Sequence, residues 1–395
     1  MGAGASLVSW RGSPSRPVAV PHLREAPVLS ERTCVGLDVH ARSVVACAID
    51  ERAGEIWTLR LSPKTPQIVD WIKGLPGPVA VSYEAGPTGF GLARALTEAG
   101  IRCEVVAPSK LERPPGDKVK TDRRDAERLA RLLRIGELPG IRVPTEAEEA
   151  ARDLVRARED ARGDLMRARH RLSKLLLRHG LVWDDSAWTG AHDAWLRSLR
   201  FDRIGVRLAF DEAYEAVLVT QARRDRLDRA IEVMAAEPAF APVVGRLCCL
   251  RGVATLTGFG LAVEIGDWGR FTGSTIGAYL GLVPSETSTG TRRAQGAITK
   301  TGNSHARRLL IESAWHHRKR YRPSRELLRR RAHQPPAVWA RADQGNRRLH
   351  QRWARLDARQ KRSTVSVVAV ARELAGWCWS LAVLDNPDHA ATRPA

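Results

Sequence analysis

Two apolar, alternating stretches each carry a carboxylate where a buried strand should have none. Asp38 lies within CVGLDVHARSVVACAID, and Glu84 closes GPVAVSYEAG. A charge in a segment destined for a sheet core is costly unless something pairs with it, and the usual partner of clustered oxygens is a hard divalent cation. A second acidic pair, Asp122 and Asp125, stands three apart in KTDRRDAERLARLL, a spacing that sets both on one helix face. Four carboxylates converging without a cation would raise one another's pKa. Two ions about 3.5–4 Å apart can activate a nucleophile and stabilise a leaving oxygen at phosphorus. Taken singly, the residues have plainer explanations. Asp122 with Asp125 resembles a helix cap with an acid three residues on, Asp38 could close a strand, and Glu84 could open the turn at Gly86–Pro87.

Charge names the class of partner. Lys and Arg number 64 against 44 Asp and Glu, a formal net charge of +20, which calls for a polyanion or an acidic membrane surface. No continuous run of about 18 apolar residues reads as a membrane span, so nucleic acid is favoured. The six cysteines show no CxxC pair and no metal-ligand spacing with His. Most lie in apolar runs, as reduced core cysteines of a cytoplasmic protein do. Residues 1–32, rich in Gly, Ser, Pro and Arg, read as a disordered leader without the apolar core of a signal peptide, and residues 386–395 as a disordered tail.

From Thr33 three strands follow one another (CVGLDVHA, SVVACAID, EIWTLRLS), joined by short turns such as Glu51–Gly54. Next come a helix over Thr65–Lys73, a strand over Val79–Tyr83, a helix from Gly89 to Ala99, a strand over Arg102–Val106 and a helix from Asp122 to Ile135. Three strands and then alternating helices and strands is the order of the ribonuclease H-like fold. In that fold the central first strand, the fourth strand and a later helix bring carboxylates together. Residues 33–142 are therefore expected to form a mixed α/β sheet of this kind. Residues 145–180 and 207–236 are charged, heptad-leaning and nearly free of helix breakers, which predicts a helical coiled-coil arm over 143–240 that pairs within the chain or with a second subunit. A Trp-containing connector, Val182–Phe201, separates the two helices.

Residues 241–385 read as a mostly helical domain. LCCLRGVATLTGFGLAVEIGDWGRF has the outline of a helix-hairpin-helix whose second helix starts near Gly260 and offers its N-terminal amides to a phosphate. A polar loop, SETSTGTRRAQGAITKTGN, precedes one helix, HARRLLIESAWHHRKR. The stretch Trp315–Arg331 is basic with Trp and Tyr interleaved, as nucleic-acid contact requires, although a solvated face gives the same composition. SVVAVARELAGWCWSLAV is a last, core helix.

Together GLDVHARSVVA, YEAGPTGFGLARAL, KTDRRDAERLARLL, GLVPSETSTGTRRAQGAITKTGNSHARRLLIESAWHHR and VVAVARELAGW resemble the DEDD transposases of bacterial insertion-sequence family 110, over roughly residues 33–385. The resemblance implies a RuvC-like domain, an arm and a serine-containing transposase domain. It implies that Asp38, Glu84, Asp122 and Asp125 bind magnesium, or manganese in its place, and that a serine attacks the scissile phosphate to give a phosphoserine link. The implied partners are donor and target double-stranded DNA, a structured guide RNA from the element's own flank, and further copies of the chain, from dimer to tetramer, beside the bacterial nucleoid. The family's loop pattern after Pro284-Ser285-Glu286 selects Ser288 when counted back from Lys300 and Gly302, and Thr289 when counted forward from Pro284. Ser288 is preferred because a primary alcohol is less crowded, with Ser285 a distant third. Lys120, Arg292, Arg293, Lys300, Arg307, Arg308, Arg318, Lys319 and Arg320 are the expected nucleic-acid contacts, and cations around the loop suit a pentavalent phosphorane. No histidine partner for the serine is evident nearby in sequence, so its activation is assigned to the metal cluster. Rival readings are a RuvC-like nuclease without serine chemistry, a catalytically dead DNA-binding relic, and an actin-like ATPase or sugar kinase, which would need Gly-rich phosphate hairpins that are not found.

Overall fold

The computed structural model describes residues 31–111, 121–289 and 292–384. The expected leader, up to residue 30, and the expected tail lie outside the described residues. The chain divides into two compact units, Met1–Pro144 and Thr145–Ala395.

In the first unit, strands β1 (Thr33–Val39), β2 (Val44–Asp50), β3 (Ile56–Leu61), β4 (Val79–Glu84) and β5 (Arg102–Val106) form one sheet in the order β3-β2-β1-β4-β5. The first three run antiparallel, whereas β4 and β5 lie parallel to β1. This mixed sheet is consistent with a ribonuclease H-like domain. Alternation sends Val35, Leu37, Val81 and Tyr83 to one face, against Ile68 and Ile72 of α1 (Thr65–Lys73) and Leu92 and Leu96 of α2 (Gly91–Glu98). Each such side chain, buried outright, stabilises by about 1.5–3 kcal/mol. The other face takes α3 (Asp122–Arg134), whose Ala126, Leu129, Ala130 and Leu133 pack on Cys34, Cys47 and Ala80.

In the second unit, α4 (Glu146–Arg178) starts at a capping box. Thr145 Oγ accepts from the Glu148 amide at 3.2 Å, and the Glu148 carboxylate accepts from the Thr145 amide at 2.9 Å. It pairs with α6 (Ile204–Ala235), and the contacts Arg158–Asp228, Arg223–Asp164 and Arg169–Gln221 show the two running antiparallel. The connector between them contains a further short helix, α5 (Gly190–Ser198), ringed by Trp183, Trp188 and Trp195 around His192.

The rest of the unit departs from expectation in several places. After α7 (Ala241–Leu247) the turn falls at Gly252, φ +83°, and α8 begins at Thr255 and ends at Ile265. Gly258 and Gly260 therefore lie inside α8, not before it. They are small because Cys248 and Leu309 approach closely, a built Cβ on Gly260 standing 2.8 Å from Leu309. A short helix α9 (Thr275–Tyr279) leads into the segment read as a polar loop, which is an antiparallel hairpin of β6 (Pro284–Thr289) and β7 (Arg292–Ile298). The expected single helix over His305–Arg320 is α10 (Ser304–Ala314), then a 3-10 turn over Trp315–Arg318 and extended chain. Next come α11 (Arg325–Ala332) and a helix not anticipated, α12 (Pro336–Ala358). The last helix, α13 (Ser363–Ala382), is long and apolar enough to cross a membrane by length and composition. Its Val367, Val370, Ala371, Leu374, Cys378 and Leu381 are instead buried in the core of this unit, with Leu310, Leu349 and Trp353. All six cysteines are free.

Candidate active site

Gly36 and Ser82 set how closely α3 lies on the sheet beside Asp38. A Cβ on Gly36 would stand 2.0 Å from the Ala126 carbonyl and 2.5 Å from the Ala130 amide, so only glycine lets α3 lie directly on β1. Ser82, its neighbour in β4, donates its hydroxyl to the Leu129 carbonyl at 3.3 Å. Side chains two apart along a strand share a face. Asp38 and Glu84 therefore follow Gly36 and Ser82 on the α3 side, one step beyond the Leu37–Tyr83 register pair. The first turn of α3, capped by Thr121, brings Asp122 and Asp125 to that face.

Among the described residues, Asp38, His40 and Asp122 can each offer a ligand atom within 4.8 Å of the others. His40 Nε2 lies 3.2 Å from Asp38 Oδ2 and 3.9 Å from Asp122 Oδ1. Glu84 and Asp125 are outside this trio, though Asp125 is near enough to act on Asp38. Burial pushes the Asp38 carboxyl above its usual range; His40 pulls it down, and Asp122 and Asp125 push it up. A cation would relieve that penalty, and two carboxylates with an exposed imidazole suit a divalent ion with hard or borderline ligand preference. His40 was not singled out from sequence. Its signal was the Asp-x-His spacing, which puts the ring on the face of Asp38.

In the second unit, Ser288 sits on β6 opposite Arg293 of β7. Its hydroxyl donates to Glu286 Oε1 at 2.8 Å, and the other oxygen of Glu286 takes the Arg293 guanidinium at 2.9 Å. Arg293, then Ser288, hold the Glu286 carboxyl below its usual range, so it is an acceptor at neutral pH and fixes the direction of the Ser288 hydroxyl. Ser285 points elsewhere, donating to the Ala297 carbonyl at 3.0 Å. Thr289 pairs across the hairpin with Arg292.

A family model of DEDD transposases matches residues 35–180, and that of the transposase IS116/IS110/IS902 family matches residues 245–329. The chain is also 33% identical over 347 residues to the transposase for insertion sequence element IS1533 of Leptospira borgpetersenii, covering 85% of this chain and 99% of that one. The chain belongs to the IS110 family of transposases. It is 40% identical over 356 residues, 88% of each chain, to a Sinorhizobium fredii protein named "Putative transposase y4qE".

The transposase deploys its expected cations unevenly. Arg293, Lys300, Arg318, Lys319 and Arg320 are exposed. Arg307 is half-buried and donates to the Leu280 and Thr301 carbonyls, while Arg308 pairs with Glu312 and Glu159. Both thus brace α10. Arg331, at the end of the basic stretch, is buried against the Cys249 carbonyl, Tyr321 and Asp343. Lys120 and the Arg292 side chain lie outside the described residues. Glu264, a buried carboxylate on α8, has no signal in the sequence pattern. It accepts from Asn303 Nδ2 at 2.6 Å and contacts His305 Nδ1 at 3.2 Å, fixing the turn between hairpin and α10. Asn303 caps α10 with its other side-chain atom.

Proposed function

We propose that this transposase cleaves and exchanges DNA strands with magnesium or manganese bound by the acids of the first unit, through a phosphoserine intermediate at Ser288. The observation that supports the reading is the grouping of Asp38 and Asp122 beside His40; in this proposal Glu84 and Asp125 complete the ligand set. A divalent ion held there would supply charge stabilisation at the scissile phosphate.

Ser288 is the nucleophile. Its Oγ–P bond forms as one P–O bond of the DNA backbone breaks; its proton passes to the Glu286 carboxylate, and the departing oxygen takes up a proton. A free hydroxyl of the partner strand then attacks the phosphoserine, joins the new strand and returns the serine. Arg293 keeps Glu286 ionised and lies where it can meet phosphate charge. In this proposal the serine proton goes to a side chain two residues away, whereas the sequence alone points to activation by the metal cluster.

The finer organisation belongs to the same proposal. Residues 33–142 carry the RuvC-like site, 143–240 a coiled-coil arm that joins subunits, and 241–385 the serine domain with a helix-hairpin-helix-like DNA contact at α7–α8. The complex is a dimer to tetramer in the bacterial cytoplasm, at the nucleoid. Guidance by a structured RNA from the element's flank rests on the family resemblance and on the +20 charge. The test is purified protein with magnesium, donor and target duplexes, and the transcribed flank, run with and without that RNA. Strand exchange that needs the metal and the RNA supports the reading. Hydrolysed ends in place of joined strands would make it a nuclease without serine chemistry.

A further inference from the structure

Between Glu312 and Glu326 the chain carries no acid, and it carries Arg318, Lys319, Arg320, Arg322 and Arg325. The structure holds the middle of this segment in one shape. Arg251 donates from one guanidinium nitrogen to the carbonyls of Lys319 and Arg320, at 2.9 and 3.1 Å. Tyr321 donates to Asp343 at 2.7 Å and accepts from the buried Arg331 at 2.8 Å. At the upstream end, His350 Nδ1 meets the His317 carbonyl at 3.1 Å.

The backbone is thus tied down, while the side chains of Arg318, Lys319, Arg320 and Arg322 stay exposed. None of these four makes an ion pair among the described residues. Beside them stands Trp315, 41% exposed, its ring 5.4 Å from the buried Trp353, which supports it from beneath. An exposed tryptophan on a firm base, next to exposed cations on a tied-down backbone, offers a stacking face and positive charge side by side. It suits a polymer that offers both a flat aromatic face and regularly spaced negative charge. A duplex hides its base faces in the stack; an unpaired strand presents them.

We propose that Trp315 and the pinned segment Arg318–Arg322 form a track for an unpaired nucleic-acid strand, with one base stacked on Trp315 and the four cations on its phosphates. The proposal rests on the transposase reading for its partner class, and goes beyond it by naming the strand state and the stacking residue. The unpaired strand has two sources, displaced DNA and RNA, which share this chemistry.

The test uses full-length protein and three fluorescein-labelled probes of one length and one mixed sequence: single-stranded DNA, single-stranded RNA and duplex DNA. Kd is measured over a series of salt concentrations for wild type, Trp315→Ala, Trp315→Phe and Arg320→Ala. Trp315→Ala should weaken binding of at least one single strand about 5- to 100-fold, with duplex binding changed less than about 2-fold. Trp315→Phe should recover most of the loss, which a merely structural role for the indole would not give. Arg320→Ala should lower the slope of log K against log salt for that strand by about 0.7. The single strand that loses affinity identifies the source. Equal losses on duplex and single strands, no loss on either single strand, or no rescue by phenylalanine would overturn the track. Metal-dependent strand exchange retained by a Trp315→Ala protein with unaltered single-strand binding would sink this proposal and leave the transposase reading standing. Absence of exchange in wild type would strike at that reading instead.

Discussion

Asp38 and Ser288 are both strand residues, but their strands have little else in common. β1 is the central strand of five, with apolar helices on one face and α3 on the other. β6 belongs to a two-stranded hairpin whose Ser285–Thr289 are exposed. The buried sheet fixes Asp38 by packing and register, and burial pushes its carboxyl up. The hairpin fixes Ser288 by side-chain hydrogen bonds, and those bonds draw the Glu286 carboxyl down. The contrast suits the two roles proposed: metal ligands need several groups held to within a fraction of an ångström, which packing provides, and a nucleophile that must reach a phosphate, become bonded to it and be released is better carried on a light, exposed support.

The comparison predicts opposite balances of chemistry and stability. Asp38→Asn should lower strand exchange by about 10³-fold or more, while Tm holds or rises, because a partly buried charge among other acids has been removed. A large fall in Tm would show that Asp38 is structural. Glu286→Gln should cost about 10- to 100-fold in exchange and leave Tm unchanged, since the hairpin does not depend on a core. An unaltered rate would remove Glu286 from the proton path. In the sheet, Gly36→Ala should cost about 3 kcal/mol of stability, read by denaturant unfolding, because its Cβ has no room beneath α3. In the hairpin, Gly296→Ala has only the movable Ser285 hydroxyl to displace and should cost under about 1 kcal/mol.

A pH series separates the core of the second unit from its surface. His317 is fully buried, and burial, aided by the charge of Arg251, pushes its pKa down to about 3. The unfolded chain binds a proton there below about pH 6.5, and the folded protein does not until about pH 3. Stability should therefore rise with pH across that window, and fall by about 3 kcal/mol on acidifying from 6.5 to 4. His317→Phe should flatten this slope, as seen in denaturant midpoints at each pH; an unchanged slope would assign the acid sensitivity to other groups.

Most of the first unit was legible in its sequence because its strands are short apolar runs set off by turns, the central ones buried along most of their length. Arg102–Val106 and Thr65–Lys73 stand where the pattern puts them. His40 escaped notice because a histidine after a strand end has no periodicity of its own. The hairpin read as a loop because PSETST and RRAQGAI lack apolar alternation: with neither face buried, nothing selects it. α12 was hidden by two leading prolines and many charges, although Val338, Ala342, Leu349 and Trp353 keep one face apolar. Arg331 read as surface because composition cannot reveal that Asp343, on another helix, offers it a partner. Glu264 likewise gains its meaning from Asn303 and His305, 39 and 41 residues away.

The most direct test of the account is to look for the Ser288–DNA bond itself. End-labelled donor DNA would be incubated with wild-type protein, Ser288→Ala and Asp38→Asn in magnesium, quenched in detergent and resolved before and after protease digestion. The modified peptide would then be located by mass spectrometry. The account predicts a protease-sensitive adduct in wild type alone, with the added mass on Ser288. Joined or cleaved strands formed by Ser288→Ala at the wild-type rate, with no adduct in either protein, would contradict it.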